Sequence, residues 1–371
     1  MNMNYLTSIK TAIIIFPIIS FFFTVPYILH NYHKYGSINP FRTLIIYSFI
    51  LYMITIYFLV ILPLPNKSEV VEKANMVRLI PFEFIKDIIR ETSFEIGNPN
   101  TYLKALTEPC FYTVIFNLFM TIPFGMYMRY YFKCNLKKTI VLSLLLSLFF
   151  EVTQASGLYF IYPYPYRVFD VDDLIINTLG GTIGYALMGT INAFLPSREE
   201  IDEHSIEAGV VVSGLRRTTI FILDCFLFAI FTMILRIIVN IKYLSLISFA
   251  LYFIIYPYFK NGQTIGSRFL NVRLGFQKHR LISMVLRSIF LAFYYLGSVY
   301  MIFTIDLFIV AKLNLGANIN LLLFTLSLCG ILIFYLLNIF ALIKDKKIYY
   351  DNFFHVKYIS TIRKENNGNE N

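Results

Sequence analysis

The sequence predicts an all-α polytopic membrane protein, with about nine transmembrane helices in two bundles of five and four. Three observations carry that prediction. Hydrophobic residues make up 57% of the 371 and charged residues 15%, where soluble domains average about 25% charged. Apolar runs long enough for a helix to cross the roughly 30 Å of membrane hydrocarbon recur along the chain. Lysine and arginine collect in the loops between alternate runs, the asymmetry that orients membrane helices.

The spans fall near 11–30, 43–64, 111–132, 139–157, 174–195, 218–239, 243–259, 288–311 and 320–343. The first is too long, and too poor in small residues at a cleavage position, for a cleaved signal peptide. With 28 Tyr, 38 Phe and no Trp, tyrosine is expected to supply the aromatic belt at the membrane surface. Basic residues mark the loops after span 1 (Lys34, Arg42), span 3 (Arg129, Lys133, Lys137, Lys138) and span 5 (Arg198, Arg216, Arg217). They mark the loop after span 7 (among them Lys260, Arg268, Lys278 and Arg280) and the C-terminal segment as well. All lie on one side in a nine-span arrangement. That side is expected to be the cytoplasm, with the N-terminus outside and the C-terminus inside. The loop 65–110 and the loop carrying Arg167 to Asp173 are then outside. The net charge of +10 is accounted for by these loops and by attraction to anionic lipid headgroups, so membrane lipids and not nucleic acid are the expected partners.

A polar, acidic stretch beginning Pro196-Ser197-Arg198-Glu199-Glu200 divides the chain. The expected parts are a membrane domain 1–195, a polar cytoplasmic linker 196–214, a second membrane domain 215–362 and a disordered tail 363–371. Cys110, Cys134, Cys225 and Cys329 lack the spacing of a disulfide framework or metal site. The five histidines are scattered in loops, and no resident metal or cofactor is implied. There is no Walker A loop, no H-E-x-x-H and no G-x-S-x-G. Catalytic residues therefore stay unassigned, and nothing marks the chain as an enzyme.

Polar groups beside or inside the spans are the informative ones, because charge in hydrocarbon is expensive and is kept paired or facing a cavity. In the outer loop, Pro81 stands at a plausible helix start and Phe82, Ile85 and Ile89 share one face, opposite Glu83, Lys86, Asp87 and Arg90. Either an interfacial helix or a soluble cap helix fits that pattern. Span 3 carries Asn117 and the helix-weakening pair Pro123 and Gly125. Glu151 and Gln154 project from one face of span 4. Arg167, Asp170, Asp172, Asp173 and Asn177 gather where span 5 begins. Capping of that helix by Asp172 or Asp173 is one reading. A structural salt bridge of Arg167 with Glu151 or an aspartate is another. A polar binding pocket in the outer leaflet is the third. Gly180-Gly181-Thr182-Ile183-Gly184 contains a G-x-x-x-G that lets a neighbouring helix approach closely.

The order E-x-x-Q, then R-x-x-D-x-D-D-x-x-x-N-x-x-G-G, together with Arg78-Leu79-Ile80-Pro81-Phe82 and the Pro-x-Gly of span 3, resembles the VanZ-like family over residues 45–195. The best-known members of that family reduce susceptibility to teicoplanin and related cell-wall-directed lipoglycopeptides. On the pocket reading, the binding site comprises Asn117, Glu151, Gln154, Arg167, Asp170, Asp172, Asp173 and Asn177. Its ligand would be a glycopeptide-type drug or a lipid-linked cell-wall component.

Residues 215–362 resemble a different family, RDD. Arg217 is followed by Asp224 within span 6, Gly262-Gln263-Thr264-Ile265-Gly266 resembles its glycine loop, and Asp351 falls where its second aspartate is expected. Arg217 and Asp224 are two helical turns apart on one face. Asp224 lies about 10 Å into the helix at 1.5 Å per residue, so it is protonated, paired with an arginine such as Arg287, or bound to a cation. Some members of that family are linked to exchange of monovalent cations for protons. The leading expectation is thus a bacterial envelope protein affecting susceptibility to cell-wall-directed antibiotics. The alternatives are a cation/proton antiporter centred on Asp224, and a membrane enzyme acting on an outer-leaflet lipid phosphate with the acidic cluster as metal or base site.

The orientation is testable in a chain freed of its four cysteines. Cysteines placed at Asn98 and Tyr164 are expected to react with an impermeant thiol reagent from outside intact cells, and one at Lys278 only after lysis. Labelling at position 278 in intact cells overturns the arrangement.

Overall fold

The structure, a computed structural model, describes residues 5–72, 75–95, 97–239, 241–276, 279–313, 316–343, 353–354 and 356–362. Lys278, Asp351 and the tail 363–371 lie outside the described residues. The chain is an all-α polytopic membrane protein. Among the described residues seven helices are long and apolar enough to cross a membrane. These begin with α1 (Tyr5–Tyr35) and α2 (Pro40–Ile61). Two short helices follow, α3 (Glu83–Glu91) and α4 (Pro99–Leu106), then α5 (Pro109–Tyr130). Proline opens α4 and α5, where its missing N–H goes unused. The expected span 139–157 is the helix α6 (Leu136–Ala155), capped by the Asn135 side chain on Lys138 N. Next come α7 (Val171–Ile191), α8 (Arg198–Gly209) and α9 (Gly214–Ile238). The apolar helix α10 (Leu244–Phe259) is short for a span, about 24 Å at 1.5 Å per residue, and it passes through a π-helical stretch. The chain continues with α11 (Ile265–Phe269), α12 (Arg280–Ala292), α13 (Ser298–Leu313) and α14 (Ala317–Ile343).

Two compact units emerge. One comprises Met1–Thr24 and Pro40–Ile201, the other Val25–Asn39 and Asp202–Asn371. The division thus runs through α1, whose second part belongs with the C-terminal unit, and again through α8. The stretch expected as a polar linker is itself helical. Ser197 and Glu200 form a reciprocal capping box: Glu200 N donates to Ser197 Oγ (3.1 Å) and Ser197 N donates to Glu200 Oε2 (3.0 Å). Ile201 and Ser205 are buried on one face of the helix that follows. An S-x-x-E box with an apolar residue just behind it outweighs the acidic composition.

In the first unit α5, α6 and α7 pack through small residues. A Cβ on Gly125 would overlap the Gly181 carbonyl, and one on Gly184 the Ile122 carbonyl. Gly181 admits the Ser143 side chain of α6 in the same way. Gly180 and Gly184 of the G-x-x-x-G therefore meet the α5 backbone at Leu118 and Ile122, as in close helix pairs within membranes. Ile56, Met120 and Phe150 close one apolar cluster beside them, and Ile45, Tyr130, Met188 and Ile201 another.

In the second unit the strands β3 (Val272–Phe276) and β4 (Val356–Ser360) pair antiparallel, Val272 opposite Ser360 and Phe276 opposite Val356. Naming follows chain order: β1 and β2 are the two-residue strands Val77–Arg78 and Phe169–Asp170 of the first unit. The fully buried Arg216 ties the second unit together. Its guanidinium donates to the carbonyls of Leu270, Asn271 and Gly209 and to Ser360 Oγ. Tyr32, Ile220, Leu270 and Val272 form a buried apolar cluster in the same unit.

The backbone contact at Gly184 gives a clean test. Gly184→Ala is expected to destabilise the purified protein by about 1–3 kcal/mol, the usual cost of overpacking. Gly330→Ala in α14, where a Cβ meets nothing within 4 Å, is expected to be neutral. Equal melting temperatures for the two variants in detergent would contradict the packing.

Candidate functional site

The polar residues at the start of α7 are organised by two short pieces of backbone. β1 and β2 pair in parallel, Val77 opposite Phe169 and Arg78 opposite Asp170. This pairing brings the loop 77–91 onto the start of α7. Asp170 is the N-cap of α7, its Oδ1 accepting from Asp172 N at 2.9 Å. Asp172 serves another helix. Its carboxylate accepts from Phe82 N (2.6 Å) and Phe84 N (2.9 Å), the free donors at the N-terminus of α3. Phe82 holds a left-handed φ of 63° between these two bonds, a strained conformation for a side-chain-bearing residue. The capping expected of Asp172 or Asp173 thus belongs to Asp170 within α7 and to Asp172 across the loop.

Behind this layer, Glu151 on α6 accepts from Asp170 N at 2.9 Å through Oε2. Asn117 on α5 donates to Asp173 Oδ1 at 2.8 Å. Ser147 donates to the Asp173 carbonyl (3.2 Å), and Asn177 Nδ2 donates to Ser147 Oγ (2.9 Å). Glu151, Asp172 and Asn177 are buried, while Asn117, Asp170 and Asp173 are only partly covered. Asn177 Oδ1 is buried with no hydrogen-bond partner among the described residues. A buried acceptor of that kind is uncommon.

Gln154 and Arg167 do a different job. Gln154 Nε2 donates to Val60 O at 2.9 Å. Arg167 donates to Val60 O at 2.8 Å and to Leu62 O at 3.2 Å. These carbonyls end α2, where four acceptors lack helical partners and the helix dipole is negative. The salt bridge between Arg167 and Glu151 or an aspartate is not formed. Within 4 Å, no carboxylate among the described residues pairs with Arg167, whose charge is satisfied by the helix end. Of the eight predicted residues, Asn117, Glu151, Asp170, Asp172, Asp173 and Asn177 form the connected set, and Gln154 and Arg167 brace its edge.

Residues 49–192 match the VanZ/LLP1 family model. This segment is VanZ-like. Neither a curated protein nor a solved structure gives a significant match to the chain. The family match ends ahead of Arg217 and Asp224, so the RDD resemblance of 215–362 has no support from these comparisons.

Two partners in the VanZ-like segment were not singled out from sequence. Arg78 bonds Asp87 at 3.1 Å and lies 3.9 Å from Asp170. Ser147 joins Asp173 to Asn177. Arg78 stood in a recognised motif but its partners are distant in sequence, and a serine inside an apolar run carries no signal. Burial holds the Asp170 carboxyl above its usual range and the neighbouring Asp172 adds to this, while the hydrogen bond from Asp172 N and the charge of Arg78 oppose it. Among the described residues no three of His, Cys, Asp and Glu are placed to hold a metal ion.

The second unit's motif residues are organised around Asp224. It accepts from Tyr252 OH (2.8 Å), Thr264 Oγ1 (2.5 Å) and Gly266 N (2.8 Å). The glycine-loop residues Thr264 and Gly266 are therefore its partners, and a Cβ at Gly266 would crowd the carboxylate. Arg287 is within electrostatic reach but does not displace these donors. Arg217 stacks over the Tyr358 ring, 5.2 Å from its centroid. Arg216, next to it in the Arg-Arg doublet, is the fully buried one, a distinction that the doublet alone did not reveal.

The bonds to Asp172 predict a local effect. Asp172→Asn loses one of two charge-assisted acceptors for α3, each worth about 1.5–3 kcal/mol. Trypsin cleavage at Arg78, Lys86 and Arg90 is expected to accelerate about tenfold or more while the melting temperature of the whole protein changes little. An unchanged cleavage rate would sink the assignment.

Proposed function

We propose that the VanZ-like segment acts at the outer face of the bacterial cytoplasmic membrane, where its acidic cluster engages donor groups of a glycopeptide-type drug or lipid-linked cell-wall component and lowers drug susceptibility. One observation carries this reading. Glu151, Asp170, Asp173 and the unpartnered Asn177 Oδ1 gather acceptors behind an edge where Asn117, Asp170 and Asp173 are partly exposed. An acceptor-rich, anionic patch favours ammonium, amide and hydroxyl donors, the groups that peptides and sugars of cell-wall compounds present. It repels a bare phosphate, so action on an outer-leaflet lipid phosphate would need a cation as well. The N-out orientation and the outer position of the cluster follow from the basic loops and are part of the proposal.

The three neutral donors on Asp224 support its reading as an anchor between α9 and the glycine loop. Under the alternative, monovalent cation/proton exchange, Asp224→Asn would remove cation-dependent pH changes in everted vesicles. No such change is expected, in the wild type or the variant.

Asp173→Asn keeps the shape of the side chain and removes its charge. In a strain lacking the native gene, this variant is expected to leave susceptibility to a glycopeptide-type drug as high as the deletion, with near-normal protein abundance. Full protection by Asp173→Asn, or no difference between the strains with and without the wild-type gene, overturns the proposal.

A further inference from the structure

At the end of the first unit where α6 finishes and α7 begins, the loop helix α3 leaves apolar side chains uncovered. The helix packs on α5, and Phe84 and Ile88 are its half-buried apolar residues. The next row around the helix is apolar too but open: Ile85 is 48% exposed and Ile89 53%. Phe82, about one turn ahead, is 55% exposed, and Leu79 and Ile80 on the approach to the helix are exposed as well. At 3.6 residues per turn, the row after Ile85 and Ile89 is Lys86 and Arg90, and only then come Glu83, Asp87 and Glu91. The open apolar stripe is thus bordered by bases, with the acids beyond them. Among the described residues no carboxylate lies within 4 Å of the Lys86 or Arg90 side-chain nitrogens, and Asp87 is taken by Arg78 at 3.1 Å.

We propose that this face of α3 is a lipid-binding surface, with Phe82, Ile85 and Ile89 among the first acyl carbons and Lys86 and Arg90 against anionic headgroups. The level at which the helix is held carries the assignment. Its leading N–H groups, those of Phe82 and Phe84, donate to Asp172, the second residue of α7. Just before it, β1 pairs with β2, which leads directly into α7. Because α7 is long and apolar enough to cross a membrane, α3 starts at the level where a span ends. An amphipathic helix at that level, with an apolar face uncovered, lies in the bilayer surface with that face among the acyl chains. Neighbouring loops at this end of the bundle agree. Leu103 on α4 and Phe160 after α6 are 78% and 88% exposed, and exposed apolar surface of this kind marks contact with a membrane or a partner. Bases beside an inserted apolar face are drawn to anionic lipid, which makes that lipid the preferred occupant. The assignment requires nothing of the ligand of the acidic cluster. Through Asp172, a lipid that holds α3 also holds the loop that meets the start of α7.

The chain contains no Trp, so a single introduced one reports on its own surroundings. Full-length Ile89→Trp is reconstituted in vesicles of phosphatidylcholine, or of equal parts phosphatidylcholine and phosphatidylglycerol, with some acyl chains brominated near the headgroup. Bromine is expected to quench Ile89→Trp about twofold or more strongly than Glu91→Trp, which lies beyond the basic row and stays open to acrylamide. Phosphatidylglycerol is expected to raise the quenching of Ile89→Trp, and adding Lys86→Gln with Arg90→Gln to remove the rise. Should Ile89→Trp fail to fold, Ile85→Trp reads the same row. A Trp in that row as open to acrylamide as Glu91→Trp, and unquenched by bromine, overturns the inference and leaves α3 a water-facing cap. A blue-shifted emission that brominated lipid does not quench overturns it in favour of a second protein surface. Equal quenching in the two kinds of vesicle overturns the preference for anionic lipid.

Discussion

An ionised side chain in or beside hydrocarbon must find partners for its protons or lone pairs, or its burial costs several kcal/mol. In this protein the demand is met mostly by neutral dipoles. Glu151 rests on a backbone N–H, Asp172 on two, Asp173 on an amide, and Asp224 on two hydroxyls and an N–H. The basic groups behave likewise. Arg167 binds the carbonyl end of α2, and Arg216 binds the carbonyls of Leu270, Asn271 and Gly209.

That arrangement explains what could be read from sequence and what could not. Apolar spans were legible because length and hydropathy are local properties; the predicted 111–132 and the observed Pro109–Tyr130 differ by two residues at each end. Candidate residues could be picked out too, because carboxylates beside a span are rare. Partner choice was not legible. Arg167 next to three aspartates invites a salt bridge, yet its partners, Val60 and Leu62, lie more than a hundred residues earlier. Asp172 reads as a cap for its own helix but caps α3, about ninety residues away in sequence. Backbone carbonyls and N–H groups have no letter in the sequence, so a charge that they satisfy looks unpaired until the fold is known.

The same limit applied to the acidic stretch after α7. Composition marked Pro196 to Gly214 as a linker, while the Ser197–Glu200 box and the buried Ile201 made most of it a helix. Both were visible as letters, and the weight given to net charge hid them. Glycines told a more direct story. Gly181 and Gly184 read as a close-approach surface, and the backbones of α5 and α7 do meet there. This contact sets where Asn117 on α5 stands against Asp173 on α7, so a packing motif positions a polar pair about two to three turns away along α7.

The path of α1 has a consequence for biogenesis. Its residues Val25–Asn39 belong to the second unit, and Tyr32 packs with Ile220, Leu270 and Val272. A ribosome delivers Tyr32 to the membrane long before any of those partners exists. The first helix must therefore remain half-unpartnered in the bilayer while the whole VanZ-like segment is made and inserted. The C-terminal unit expressed by itself from residue 202 would lack part of its own core, so the two units form one assembly problem for the cell, solved only when the chain is nearly complete.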